Sequence, residues 1–150
     1  MKVALGGTFD PLHDGHKALL KKVVELSGDD EIVIGLTSDD MARERYRTVL
    51  SYTVRSENIR QYMKRTYGVD VRTVELFDRY GVTLEEDLDC IVVSPETKTV
   101  AEEINELRKD RGCKPMKIVV VDHVRAEDGG IISSTRIKRG EIDKHGRLLR

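Results

Sequence analysis

Apolar residues fall along the chain in short, nearly continuous runs that alternate with longer stretches where they recur every three to four positions. The runs at 2–5, 31–36, 70–76, 90–94 and 116–121 have strand length and are rich in Val and Ile, the pattern of strands covered on both faces. Between them, 15–26, 52–67 and 99–111 carry helical spacing, the last with Val100, Ile104 and Leu107 at core positions. Strand and helix alternate, which predicts an α/β fold: a doubly wound parallel sheet of about five strands with right-handed crossovers and helices on both faces. A strand order of 3-2-1-4-5 is the working expectation, although periodicity is equally compatible with other doubly wound orders. In such a sheet, ligands sit beyond the strands' carboxyl ends where the winding reverses. With that order the reversal lies between the first and fourth strands, whose ends carry residues 6–16 and Ser94-Pro95-Glu96-Thr97.

A length of 150 residues allows one well-filled core and predicts a single domain over 1–150, and no repeat, low-complexity tract or linker divides it. Charged residues make up 35% of the chain, but 26 basic and 27 acidic side chains nearly cancel, so no basic field is available to hold nucleic acid. With only two Asn and one Gln, this charge richness fits adaptation to heat. No apolar run has the length of a signal peptide or membrane span, which predicts a cytosolic protein with no membrane partner. Cys90 and Cys113 match no usual zinc spacing and read as reduced thiols. The pattern assigns no oligomeric state, because an apolar helix face packs equally on its own sheet or on a neighbour.

The most informative segment follows the first strand. The turn Gly6-Gly7-Thr8-Phe9-Asp10-Pro11 leads into His13-Asp14-Gly15-His16, and two imidazoles three residues apart at a helix start lie on one face. A helix amino end attracts anions through its free amides and its dipole, and glycines before it let the backbone come close. Near the other end, Gly129 to Gly140 encloses Ser133-Ser134-Thr135 followed by Arg136, Lys138 and Arg139. These residues suit a second anion cradle, and equally a capped surface helix with a solvated basic face.

Taken together, Gly7-Thr8-Phe9-Asp10-Pro11-Leu12-His13-Asp14-Gly15-His16 and Ile132-Ser133-Ser134-Thr135-Arg136-Ile137 resemble the nucleotidyltransferase superfamily marked by a GTFDPxHxGH-type first motif and an ISSTxI-type last motif. The resemblance covers essentially the whole chain and implies a Rossmann-like sheet. Within that superfamily, Leu5 to Asp10, Tyr52-Thr53-Val54-Arg55 and Val92 to Thr97 look like the archaeal and eukaryotic type of phosphopantetheine adenylyltransferase; the bacterial type usually has Thr where His13 stands. The implied reaction is the penultimate step of coenzyme A synthesis, in which ATP and 4′-phosphopantetheine give dephospho-coenzyme A and pyrophosphate.

The resemblance implies roles for particular residues. His16 is the main donor to the α-phosphate and His13 holds the triphosphate, while an ordinary imidazole pKa near 6.5 leaves their protonation open. Gly7, Thr8 and Phe9 present backbone amides, with the Thr8 hydroxyl also able to meet the incoming phosphate; Asp10, of the wrong charge for phosphate, shapes the turn or orients a donor. Ser133, Ser134 and Thr135 take the β- and γ-phosphates with Arg136 or Lys138 nearby, and Glu96 and Thr97 lie on the adenine side. A cation must screen the attacking phosphate. Arg43, Arg45 and Arg47 are placed for it, where the family often has a lysine, and Arg55 supports the same pocket. Magnesium accompanies ATP, bridging phosphates rather than sitting in a protein cage.

The nearest alternative is another adenylyl- or cytidylyltransferase of the superfamily, acting on nicotinamide mononucleotide, flavin mononucleotide or a small alcohol phosphate. A non-catalytic ATP-binding module is the alternative of a different class, and gives the two histidines little purpose. Class I aminoacyl-tRNA synthetases are similar in the histidine pair, but this chain has no room for tRNA-binding domains and no KMSKS-like loop.

Overall fold

In the computed structural model, which describes residues 1–149, five parallel strands form one sheet of order β3-β2-β1-β4-β5. They are β1 (Val3–Gly7), β2 (Ile32–Thr37), β3 (Arg72–Leu76), β4 (Cys90–Val93) and β5 (Lys117–Val120). The helices are α1 (Asp14–Ser27), α2 (Asp39–Arg45), α3 (Tyr52–Tyr67), α4 (Lys98–Asp110) and α5 (Ser134–Lys138), and a 3-10 turn spans Gly81–Leu84. This is the expected order, and the reversal between β1 and β4 lies where it was anticipated.

The alternation of side chains along β1 divides the core in two. Val3 and Leu5 join Leu20, Val23, Ile34, Ile59 and Met63 on one face, whereas Ala4 joins Val33, Ile91, Val93, Ala101 and Ile104 on the other. The central strands β1, β2 and β4 are buried on both faces at their starts, but β3 and β5 are only half covered because they form the sheet edges.

The arginine-rich stretch after β2, to which the apolar pattern assigns no element, forms a short helix: Ser38 caps it, its hydroxyl accepting from the Met41 amide at 3.2 Å, with Asp39 and Asp40 at the amino end and Arg43 and Arg45 at the carboxyl end. The expected core positions of α4 need one correction. In α4 the fully buried positions are Ala101, Ile104 and Arg108, with Leu107 only half-buried. Arg108 is tolerated inside because its guanidinium donates to the carbonyls of Lys114 (2.9 Å), Thr83 (2.6 Å) and Glu86 (2.9 Å). It thereby fastens α4 to the segment after β3.

The excess of charge appears at the surface as shared ion pairs. Arg72 bridges Glu31 and Glu86, and Arg136 bridges Asp128 and Glu141. Among the described residues, no helix is long and apolar enough to cross a membrane.

Candidate active site

At the carboxyl ends of β1 and β4 the chain leaves a pocket of about 420 Å³. It is lined from the β1–α1 loop by Gly7, Thr8 and Phe9, from α1 by Gly15 and His16 with the cap His13, from the β4–α4 turn by Glu96 and Thr97, and from the last segment by Ser133 and Ser134. The two motifs from opposite ends of the chain therefore meet. Gly15 is part of the reason: a Cβ there would stand 2.8 Å from the His13 ring and 3.5 Å from the Ile132 carbonyl, so glycine lets the first turn of α1 lie against the strand leading into Ser133. The contact is reinforced by the Asp14 amide donating to the Lys144 carbonyl (3.1 Å) and by His145 paired with the Asp14 carboxylate (3.0 Å).

The imidazoles do more than line the pocket. His13 is the amino cap of α1 and His16 its third residue, and each ring serves the other's backbone: Nδ1 of His13 accepts from the His16 amide and Nδ1 of His16 from the His13 amide, both at 3.3 Å. The rings stack with centroids 3.7 Å apart, 15° from parallel, and Phe9 covers His16 at 4.7 Å. Since both Nδ1 atoms accept, the proton of each neutral ring is on Nε2, leaving one N–H per ring for a ligand. Burial makes the charged form unfavourable, lowering His13 to about 4 despite the attraction of Asp14, and lowering His16 to about 3, helped by the neighbouring ring. The question the sequence leaves open has its answer here: at neutral pH both rings are uncharged donors. The helix start also corrects one expectation. The Asp14 and His16 amides already have partners in the Lys144 carbonyl and the His13 ring, so the two imidazoles add side-chain donors to a helix end whose own amides are partly engaged.

These shifts have a consequence with a definite sign. Below pH 6.5 the unfolded chain takes up protons that the folded rings refuse, so stability falls as pH drops from about 6.5 toward 4, by up to about 1.4 kcal/mol per pH unit for each ring. Above 6.5 neither state protonates them and this contribution is absent. Nitrogen-15 NMR of the imidazoles at pH 7 is expected to show two Nε2–H tautomers and no titration down to pH 5; a midpoint near 6.5 for either ring would contradict the packing.

The basic residues divide. Arg45, the last residue of α2, reaches the pocket and lies 3.7 Å from Glu96 across its mouth. Arg43 and Arg47 do not line it; Arg43 turns to Asp39 and Asp40 on its own helix, and Arg47 is exposed beyond the helix end. Arg55 is wholly buried, and its five N–H donors are engaged by the carbonyls of Leu50, Thr8 and Thr37, the Thr37 hydroxyl and the Asp39 carboxylate at 2.8–3.2 Å. It has no donor left for a substrate and instead braces the wall that carries Thr8 and Thr37. Asp10 acts similarly: it is buried, accepts from the Leu50 amide at 2.6 Å and faces the ammonium of Lys138 at 3.6 Å. Lys138 also donates to the Thr48 carbonyl (2.7 Å), tying α5 to the segment after α2 rather than facing the pocket.

In the last segment, Ser133 caps α5 by accepting from the Arg136 amide at 3.2 Å, and Ser134 is buried beside it. Thr135 and Arg136 line a shallower extension that shares Arg45, Glu96, Ile131 and Ser133 with the pocket. The Arg136 guanidinium is held by Asp128, Glu141 and the Ile131 carbonyl. The sequence pattern assigns no role to Thr37, Tyr46, Arg79 and His123, which also line the pocket; only the carboxyl ends of β2, where Thr37 stands, and of β5, which His123 follows, point toward two of them.

A second cavity of about 210 Å³ opens at the same mouth, on the α4 face of the sheet. Small residues at Ala4, Gly6 and Gly35 make room for it, and Val33, Val74, Leu76, Val100, Ala101 and Ile104 make it apolar. Leu5, Gly6, Gly7, Thr37, Arg79, Val93 and Thr97 are common to both cavities.

Comparison with known proteins bears directly on this site. The cytidylyltransferase-like family profile matches residues 4–140. Phosphopantetheine adenylyltransferase from Archaeoglobus fulgidus is 52% identical over 99% of this chain and 100% of its own length, and that from Methanosarcina mazei is 51% identical over 98% and 96%. The chain belongs to the cytidylyltransferase-like family, in its phosphopantetheine adenylyltransferase branch. A crystal structure of an Archaeoglobus fulgidus protein of unknown function, 46% identical, superposes with a TM-score of 0.77 over 89% of this chain and all of that one, so the two chains share the fold. The histidine pair and the Ser133–Ser134 corner both fall within the residues matched to the cytidylyltransferase-like family.

Proposed function

We propose that the chain transfers AMP from ATP to 4′-phosphopantetheine, giving dephospho-coenzyme A and pyrophosphate, and that the transfer takes place between the histidine pair and the Ser133–Ser134 corner. The observation that carries the reading is the pairing of two cavities at one mouth: a polar pocket with two neutral imidazole donors, and an apolar cavity beside it. The acceptor has the matching construction, an anionic phosphate at one end and a long uncharged arm. Its arm fits the cavity on the α4 face, and its phosphate then stands where the triphosphate begins.

The nucleophile is already an anionic oxygen, so no residue needs to remove a proton from it. It attacks the α-phosphorus in line, the bond to the pyrophosphate oxygen breaks opposite, and no covalent enzyme intermediate forms. What remains is alignment and charge stabilisation. His16 Nε2–H donates to the α-phosphate, where negative charge grows, and being neutral it does so without giving up its proton. His13, Ser133 and Ser134 hold the remaining phosphates, Thr8 and the backbone of Gly7 and Phe9 orient the incoming one, and Glu96 and Thr97 border the adenosine side. Thr135 and Arg136, on the shallow extension, meet the γ-phosphate end, with Arg45 at the mouth. ATP enters as its magnesium complex. Glu96 is the only carboxylate among the described residues lining the pocket and faces Arg45, so phosphate and water oxygens would supply the ion's ligands. A cytosolic setting accords with two thiols that form no disulfide.

The reading is tested by offering labelled ATP with phosphopantetheine, nicotinamide mononucleotide, flavin mononucleotide or a small alcohol phosphate and measuring pyrophosphate release. Turnover is expected with phosphopantetheine; its absence there, with turnover on another acceptor, would reassign the substrate. Ser134→Ala combined with Thr135→Ala is expected to weaken ATP by about tenfold, the scale of a lost hydrogen bond to a charged group, while changing phosphopantetheine little. An equal loss for both substrates would remove these hydroxyls from the triphosphate.

A further inference from the structure

Transfer requires two anions to meet, and the chain must place a cation between them. The acceptor phosphate carries a charge of about −2 near neutral pH and has to approach the triphosphate to about 3–3.5 Å. The arginines after β2 do not meet this need from the acceptor's side: Arg43 and Arg47 lie outside both cavities, and Arg45 lines only the nucleotide pocket and its extension.

Arg79 stands differently. It is the one charged residue lining the apolar cavity among the described residues, and it also lines the nucleotide pocket. The residues it shares that double position with, Leu5, Gly6, Gly7, Thr37, Val93 and Thr97, form the mouth where an arm in one cavity passes into the other. Its guanidinium is half-exposed, lies over the Tyr80 ring at 5.5 Å, and is held by the Glu103 carboxylate of α4 at 2.8 Å, which also accepts from the Tyr80 hydroxyl. The turn beneath is braced: the Tyr80 and Gly81 amides donate to Asp78 at 2.9 and 2.8 Å, and Arg108 holds the carbonyls of Thr83 and Glu86.

We propose that Arg79 receives the acceptor's phosphate at the junction of the two cavities and thereby selects phosphorylated over unphosphorylated acceptors, with Glu103 holding the guanidinium at that junction. A guanidinium is suited to this because its planar fork matches two phosphate oxygens, and because it remains charged at any working pH. Its pairing with the half-exposed Glu103 carboxylate is solvent-screened and weak enough for a dianion to compete for the same fork. The proposal rests on phosphopantetheine as the acceptor, and the test separates the two claims.

Binding of 4′-phosphopantetheine and of pantetheine, which differs only in lacking the phosphate, is measured by NMR titration for the native chain, Arg79→Ala and Arg79→Lys. Arg79→Ala is expected to weaken phosphopantetheine by about 10- to 100-fold, the scale of a lost charge-assisted hydrogen bond, and to leave pantetheine within about twofold, since it has no phosphate to lose. Arg79→Lys, with a point charge in place of the fork, is expected to restore part of the loss. In turnover the change falls mainly on the KM for phosphopantetheine. Unchanged phosphopantetheine binding in Arg79→Ala, or an equal loss for pantetheine, would overturn the assignment of Arg79 while native turnover left the reaction standing. Failure of the native chain to turn over phosphopantetheine at all would instead overturn the acceptor.

Discussion

His16→Ala is expected to lower kcat by about 10²–10³-fold while leaving the KM for ATP within a few-fold, the pattern of a donor lost from the transition state rather than from the ground state. Three features of one ring give this pattern. His16 lies in the first turn of α1, its Nδ1 is fixed by the His13 amide, and burial against Phe9 and His13 keeps it neutral. Its Nε2–H is therefore oriented before substrate arrives and costs no reorganisation as charge grows on the α-phosphate. Removing it also leaves the His13 amide without its partner, so the variant is expected to lose about 1 kcal/mol of stability, as for a lost cap, and to remain folded. His16→Gln, which can return an amide N–H to the same region, is expected to recover part of the rate. Steady-state kinetics with circular dichroism on each variant checks this, and near-normal kcat in His16→Ala would remove His16 from its role.

The second large effect is structural and arises far from the chemistry in sequence. Replacing Arg55 by Met is expected to cost about 3 kcal/mol, the scale for leaving several buried backbone acceptors without a donor, and to lower the unfolding midpoint by on the order of 10 °C. The cause is the set of acceptors left behind. The carbonyls of Leu50, Thr8 and Thr37 lose the guanidinium, whereas the half-exposed Asp39 carboxylate, held below the usual carboxylate range first by the Tyr52 amide and then by Arg55, keeps the Tyr52 amide. Since Thr8 and Thr37 form the pocket wall, binding of both substrates should weaken together in the variant at temperatures where it stays folded. Arg55→Lys is expected to rescue little, because an ammonium cannot reach five acceptors arranged around a planar fork. Thermal unfolding of the three chains measures this, and a shift of under about 2 °C in Arg55→Met would contradict the account.

The contrast between these two residues shows what was legible in the sequence. His16 is found from local pattern alone: strand, double glycine and paired imidazoles occur in an unbroken run, and the geometry they imply is set within one helical turn. The sheet was legible for the same reason, since each Val- and Ile-rich run reports its own burial, and β1, β2 and β4 carry the strongest runs because they are interior strands. Arg55 reads as supporting the pocket but its burial does not show, and Arg108 does not stand out at all, because a charged residue in a helical stretch shows no burial unless its acceptors are known, and those acceptors are backbone carbonyls from distant segments. Arg79 lies in a turn with no periodicity, where only the assembled sheet reveals that two cavities share it. Arg43, Arg45 and Arg47 looked equivalent until Ser38 was seen to cap a helix, which directs Arg43 back on its own aspartates and Arg45 to the mouth. The protonation of the histidines is likewise a property of packing: stacking and burial decide it, and neither appears in a pair of letters three positions apart.

The central claim is that one triphosphate is gripped from both sides, by the histidine pair that follows β1 and by the serines at the start of α5. A crystal structure of the chain with a non-hydrolysable ATP analogue tests it most directly. The account predicts an α-phosphate oxygen within hydrogen-bonding distance of His16 Nε2 and the distal phosphates against Ser133 and Ser134. A triphosphate bound elsewhere, with both Nε2 atoms left facing solvent, would contradict it.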